Sequence, residues 1–270
     1  MHFEPLRRGL GFSCYSARLL LVEPAMLVLA VAEVALLLVV GVGVGLEFEG
    51  GVLTGLTFLG RIEINEVVFF TRVLLPKWIQ SFSYLALLGG IAVAATSWRS
   101  LLHDPLVGIL LTTGLTRREC VAWSFVGNLG AMSGHVLCFS LCVDIILLTK
   151  GLDGGVIPII LGSLSVVWWM AIVLSWSLVV TMVTDNQMSV LFVLVLIFFL
   201  IGPLIGAVNL NGRPFIAGLA LVAPPTQAMV DWTTSMVIGR ERANLPFFPV
   251  TLVPLSCLLL GGMLFQRRDL

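Results

Sequence analysis

Few residues in this chain can do chemistry, and they lie far apart. Within its long apolar runs the ionisable side chains are Glu33, His135 and, near one end, Asp144. A charge placed in lipid is costly, so each is a candidate for a substrate path or proton relay. Glu33 and His135 carry that reading here, against the blander one of a hydrogen-bonded group packed inside a helix bundle. Asp144 reads as structural, because about 8 Å separates it from the end of its run at 1.5 Å per residue. His135, Cys138 and Cys142 share a helix face and could hold a soft metal, but a packed face is the stronger reading. The other histidines are His2 and His103, too few for a multi-histidine metal site. Ser133 and His135 are two positions apart on one helix and do not face each other. No GxSG signature is present, so an intramembrane serine protease is a poor fit. A Walker A loop needs lysine before Ser or Thr after a glycine-rich turn. The two lysines are Lys77, after Pro76, and Lys150, before Gly151. The chain therefore reads as no enzyme by itself, with no catalytic residue and no bound cofactor.

The most informative polar stretch is Ser97–Cys120, SWRSLLHDPLVGILLTTGLTRREC. Asp104 before Pro105 suits an N-cap and a first helical position, where proline's missing N–H costs nothing. Leu106, Ile109, Leu110 and Thr113 then share one side of a short helix, and Gly114 is a left-handed stop. Thr116-Arg117-Arg118-Glu119 fits a capping box that starts a second helix. The spacing predicts a short helix at the membrane surface followed by a sharp turn back in, a shape that can dock into a partner.

The surrounding elements follow from composition. Hydrophobic residues make up 59% of the 270 and charged residues 11%, against about 25% charged in a soluble domain. Mean hydropathy is +1.08. These values predict an all-α, multi-pass membrane protein formed as a single domain, 1–270. Zero net charge argues against a nucleic-acid surface. Five dispersed cysteines read as reduced packing residues, and no cleavable signal peptide is evident.

Residues 1–23 carry Arg7, Arg8 and Arg18 among apolar residues and read as an amphipathic interfacial helix. Six candidate spans follow, each near the ~20 residues needed to cross hydrocarbon: Pro24–Leu46, Trp78–Thr96, Val121–Thr149, Ile157–Val183, Met188–Val208 and Phe248–Phe265. Arginines cluster in the terminal segments and the loop after span two, so the positive-inside rule places both termini in the cytoplasm of a plasma or inner membrane. On the other side, Glu47–Lys77 has an apolar stretch, Val67–Phe70, expected to fold partly onto the membrane. Short re-entrant helices are expected around Phe215–Val222 and Thr226–Val237, since irregular backbone at membrane depth needs protein or water to cover it. Gly41/Gly45, Gly130/Gly134 and Gly202/Gly206 have the spacing that lets helices approach, within the bundle or between subunits. Trp168 and Trp169 read as packing residues.

This order resembles the permease subunits of ATP-binding-cassette transporters of the second export-type family. Most of the chain takes part: a basic amphipathic start, six spans, HDPLVGILLTTGLTRRECVAWSFVGN after span two, the segment LVAPPTQAMVDW before the last span, and the short end FQRRDL. Asp104, Leu110, Leu111, Thr116, Arg117 and Glu119 occupy the places of that family's charged, leucine-rich and Ser/Thr-Arg-x-Glu positions. Two departures stand out: Phe125-Val126-Gly127 replaces a frequent lysine-glycine, and His103 stands where Glu or Arg is common. The resemblance implies that the segment from His103, Asp104, Pro105, Leu106 and Leu110 to Thr116, Arg117, Arg118 and Glu119 is a coupling helix. It would seat in a separate ATPase subunit that holds ATP and magnesium. It also implies export, and pairing with a second, identical or related permease copy.

Two other classes compete. A proton-coupled carrier would use Glu33 and His135 as its relay, although no internal repeat of the kind many carriers show is visible. A membrane scaffold or assembly protein would have partners without substrate-dependent ATP turnover.

Overall fold

Trp98 lies fully buried where the sequence suggested a polar interruption, and the reason is the length of its helix. The computed structural model describes residues 4–49, 52–58, 62–64, 75–112, 114–150, 156–184, 186–203, 226–238 and 247–267. Its helices are α1 (Glu4–Leu21), α2 (Pro24–Gly43), α3 (Leu75–His103), α4 (Pro105–Thr112), α5 (Arg117–Thr149) and α6 (Val156–Thr184). They continue with α7 (Gln187–Val195), which runs on as a π-helical turn (Leu196–Ile201), α8 (Thr226–Ile238) and α9 (Phe247–Arg267). The second span was expected to stop at Thr96. Instead α3 runs on to His103, because Trp98 and Leu102 continue its apolar face into the bundle. The Trp98 indole N–H donates to the carbonyl of Leu174 on α6 at 2.9 Å.

Among the described residues, four stretches are long and apolar enough to cross a membrane: Pro24–Gly43, Ile79–Arg99, Arg117–Ile146 and Gly162–Thr184. They lie on α2, α3, α5 and α6 and match the first four expected spans, consistent with a multi-pass membrane protein. The described part of the fifth expected span includes an apolar helix over Gln187–Ile201, and residues 204–208 of that span lie outside the described residues. The sixth is helical as α9, with Pro254 inside it. Residues 204–225, with the re-entrant helix expected around Phe215–Val222, lie outside the described residues. The second expected short helix is present as α8.

The segment after the first span differs from expectation. Alpha-helix gives way at Val44 to a three-stranded antiparallel sheet of β1 (Val44–Glu49), β2 (Val52–Phe58) and β3 (Ile62–Ile64), in the order β1-β2-β3. Val44 pairs with Phe58 and Glu49 with Val52 across Gly50-Gly51 of the sequence, with a bulge between Glu47 and Phe48. The sequence pattern suits a strand: Val44, Leu46 and Phe48 alternate with Gly45, Glu47 and Glu49. The helix that carries the first expected span therefore ends at Gly43. The apolar stretch Val67–Phe70 lies outside the described residues. The pair Gly41/Gly45 straddles the end of α2, so it is no helix-packing motif.

α6 is the centre of the bundle. Ile172, Val173 and Leu174 are fully buried, and α3 contributes Leu87, Ile91, Val93 and Ala94 to the same core. α7 adds Val190, Leu194 and Phe198, and α8 adds Met229 and Val230. Met132, Trp169 and Met170 complete it, while Trp168 faces outward. By contrast α2 exposes Leu27, Val28, Val31, Val34, Leu38 and Val42, as a lipid-facing helix does.

α1 lies against α5. A side chain at Gly127 would collide with the backbone of Ser13, so glycine there lets the two helices touch. Gly130 and Gly134, one and two turns further on, meet nothing within 4 Å among the described residues.

Candidate functional site: the corner between α3 and α5, and a pair at membrane depth

The break between α3 and α4 is a single residue. Pro105 has no N–H to continue the ladder, and Asp104 caps the new helix: its Oδ1 accepts from the Leu106 N–H at 2.9 Å. The Val107 N–H donates to the Asp104 carbonyl at 3.0 Å. At the other end of α4, Gly114 adopts φ +97°. The Leu115 N–H then reaches back to the Leu110 carbonyl at 3.3 Å, the six-to-one bond of a Schellman stop. The next helix starts with the expected capping box. Glu119 Oε2 accepts from both the N–H and the hydroxyl of Thr116 at 2.8 Å, and Thr116 Oγ1 accepts from the Glu119 N–H at 3.3 Å. Two stops and two starts in sixteen residues fix the direction of α4.

The corner rests on an apolar cluster of its own. Val107, Leu115, Cys120 and Val121 bury against Phe12 of α1, Trp98 and Leu102 of α3, Leu178 of α6 and Phe265 of α9. The cluster divides the side that Leu106, Ile109 and Leu110 were expected to share. Its inward residue is Val107, 2% exposed, with Leu110 and Leu111 packed beside it. Leu106 and Ile109, at 39% and 57%, point outward. Thr113 lies outside the described residues.

Several site residues also hold the chain together. The Tyr15 hydroxyl of α1 donates to Asp104 Oδ2 at 2.8 Å. That hydrogen bond, then partial burial, then the carboxylate's charge hold the Tyr15 phenol above its ordinary value of 10.0. Arg117 donates to the carbonyls of Phe265 and Gln266 at 3.3 and 3.2 Å, the last carbonyls of α9, where a cation is favoured. Arg118 donates to Gln266 Oε1 at 3.1 Å. Thus Asp104, Leu110, Thr116, Arg117, Arg118 and Glu119 build the corner, while His103, Pro105, Leu106 and Ile109 are exposed on it.

The two candidate path residues come together. Glu33 Oε2 of α2 and His135 Nε2 of α5 are 2.6 Å apart; Glu33 is 9% exposed. Asp144 is 2% exposed, and among the described residues neither of its carboxyl oxygens has a hydrogen-bond partner. Ser133 donates to the Leu129 carbonyl of its own helix at 2.6 Å, apart from His135. All five cysteines are unpaired, and no cluster of three or more His, Cys, Asp or Glu side chains forms among the described residues.

The sequence reading missed a third polar group. The Tyr84 hydroxyl of α3 donates to Gln227 Oε1 of α8 at 2.6 Å, and Gln227 Nε2 donates to Asp231 Oδ1 at 3.1 Å. Gln227 and Asp231 are one helical turn apart, a spacing visible in the sequence once α8 is recognised as a helix. Tyr84's place beside them was not visible.

No protein-family model matches this chain, and no curated protein matches it.

Proposed function

We propose that this chain is the permease subunit of an ATP-binding-cassette transporter, an exporter whose ATP is hydrolysed in a separate subunit. The observation that supports the reading best is the corner: a short helix pinned at both ends, seated on Val107, with Leu106 and Ile109 presented outward. Coupling needs an element that makes different contacts in two states and moves as a unit, and α4 has that construction. ATP binding in the partner would push on α4. The push would pass to α3 and α5 directly, and to α1 through Tyr15 and Asp104. Both termini would lie in the cytoplasm with α4, since α1 and the end of α9 contact this corner. Six spans, and a second copy beside the first, belong to the same proposal.

The test is capture of the tagged protein in mild detergent, with identification of what copurifies. An ATPase subunit is expected with the native chain and not with Leu106→Asp combined with Ile109→Asp. No ATPase in any detergent would overturn the reading. An ATPase retained by the double variant would move its docking site off α4.

One observation favours a second reading, a proton-coupled carrier. Glu33 and His135 meet at 2.6 Å within apolar helices, as a two-membered relay requires. It predicts uptake driven by a pH gradient without ATPase, abolished by Glu33→Gln.

A further inference from the structure

We infer that Tyr84, Phe199, Gln227 and Asp231 form a binding site for a lipophilic cation, an ammonium or phosphonium centre carried on an apolar body. The four residues come from three elements. Tyr84 lies within the apolar span Ile79–Arg99 of α3. Phe199 belongs to the π-helical turn after α7, and Gln227 and Asp231 to α8. A π-turn shifts side chains out of α-helical register and recurs at functional sites. Here it places the Phe199 ring 6.0 Å from the Tyr84 ring, at 42°.

The group has the parts such a ligand requires. Two aromatic faces attract a positive centre by their quadrupoles. Asp231 supplies a carboxylate, and among the described residues no cation pairs with it. The bond from the neutral Gln227 amide orients the carboxylate without adding a positive charge. The opposite face of α8 is locked: Met229, Val230 and Thr233 are buried, and the Thr233 and Ser165 hydroxyls bond each other at 2.5 Å. Asp231 is therefore held in place by a rigid helix. The site is open, with Gln227 exposed and Tyr84, Phe199 and Asp231 partly so. Leu88, one turn beyond Tyr84, and Leu200, next to Phe199, are exposed and offer apolar surface to the ligand's body. An anion would meet the Asp231 carboxylate, and a neutral ligand would not use it.

As the substrate of the proposed transporter such a cation rests on that reading; binding itself does not. The full-length protein in nanodiscs of neutral phospholipid is titrated with radiolabelled tetraphenylphosphonium, with tetraphenylborate as its anionic counterpart. Saturable binding of the cation is expected, weakened about tenfold or more by Asp231→Asn, retained by Asp231→Glu, and weakened by Tyr84→Ala and Phe199→Ala. Tyr84→Phe, which keeps the ring, should cost less than Tyr84→Ala. Tetraphenylborate should not compete. Equal binding of both ions, or unchanged affinity in Asp231→Asn, would overturn the inference and leave only apolar partition. Loss of this site would leave ATPase capture untouched, and failure to capture an ATPase would leave the binding curve untouched.

Discussion

The phenol of Tyr15 and the carboxylate of Asp104, 89 positions apart in the chain, meet at 2.8 Å. Through them the amphipathic helix α1 is fastened to the one residue that separates α3 from α4. Asp104 thus serves two helices at once, one oxygen capping α4 and the other accepting from α1.

This bond has a pH signature. Tyr15 is raised above its ordinary value, first by the hydrogen bond to Asp104. The stabilisation is therefore complete below the unfolded tyrosine pKa near 10 and is lost as pH rises through the higher folded value. The chain has two tyrosines, so a Tyr84→Phe background isolates Tyr15 in an ultraviolet difference titration. Asp104→Asn should bring its titration back toward the ordinary value. Tyr15→Phe should cost about 1 kcal/mol in neutral solution and nothing once Tyr15 is ionised.

The Glu33–His135 contact should show as coupling between α2 and α5. Glu33→Ala and His135→Ala each leave a buried polar partner unmatched, a loss of about 1–3 kcal/mol. The double variant should cost less than the two singles together, by at least about 1 kcal/mol, in denaturant unfolding of the purified protein. Strict additivity would show that the two side chains are close without interacting.

Gly127 and Gly130 give a matched pair. Gly127→Val places a side chain against the Ser13 backbone and should push α1 away from α5, costing about 1–3 kcal/mol. Trypsin cleavage at Arg18 should then speed up. Gly130→Val meets nothing within 4 Å and should leave cleavage at Arg18 unchanged.

Trp98 fills the space between α3 and α6. Trp98→Ala should lower stability by about 3–5 kcal/mol. Trp98→Phe should lose less, chiefly the bond to the Leu174 carbonyl, about 1 kcal/mol. Thermal unfolding of the two variants side by side reads the difference.

Local rules account for what the sequence alone determined. Asp104 with Pro105, Gly114, and Thr116 with Glu119 specify a helix stop or start through atoms at most five residues apart, so the corner was legible before any fold was known. The apolar runs of α2, α3, α5 and α6 were legible for the same reason, because length and hydropathy belong to one segment. The strand β1 was legible but overlooked: Val44, Leu46 and Phe48 alternate with Gly45, Glu47 and Glu49, a two-residue period at the end of a continuous apolar run.

Tertiary structure decided everything that depends on two distant segments. α4 is apolar on most sides, so its own periodicity did not say whether Val107 or Leu106 would face inward; the cluster of Phe12, Trp98, Leu178 and Phe265 did. Arg117 was read from its spacing as part of a capping box, yet its side chain meets a carbonyl near the end of α9, 148 residues away. Glu33 with His135, Tyr15 with Asp104, and Tyr84 with Gln227 were likewise each visible as single residues. Their pairing is set by how long helices cross, and crossing depends on packing between segments, which no short window of sequence contains.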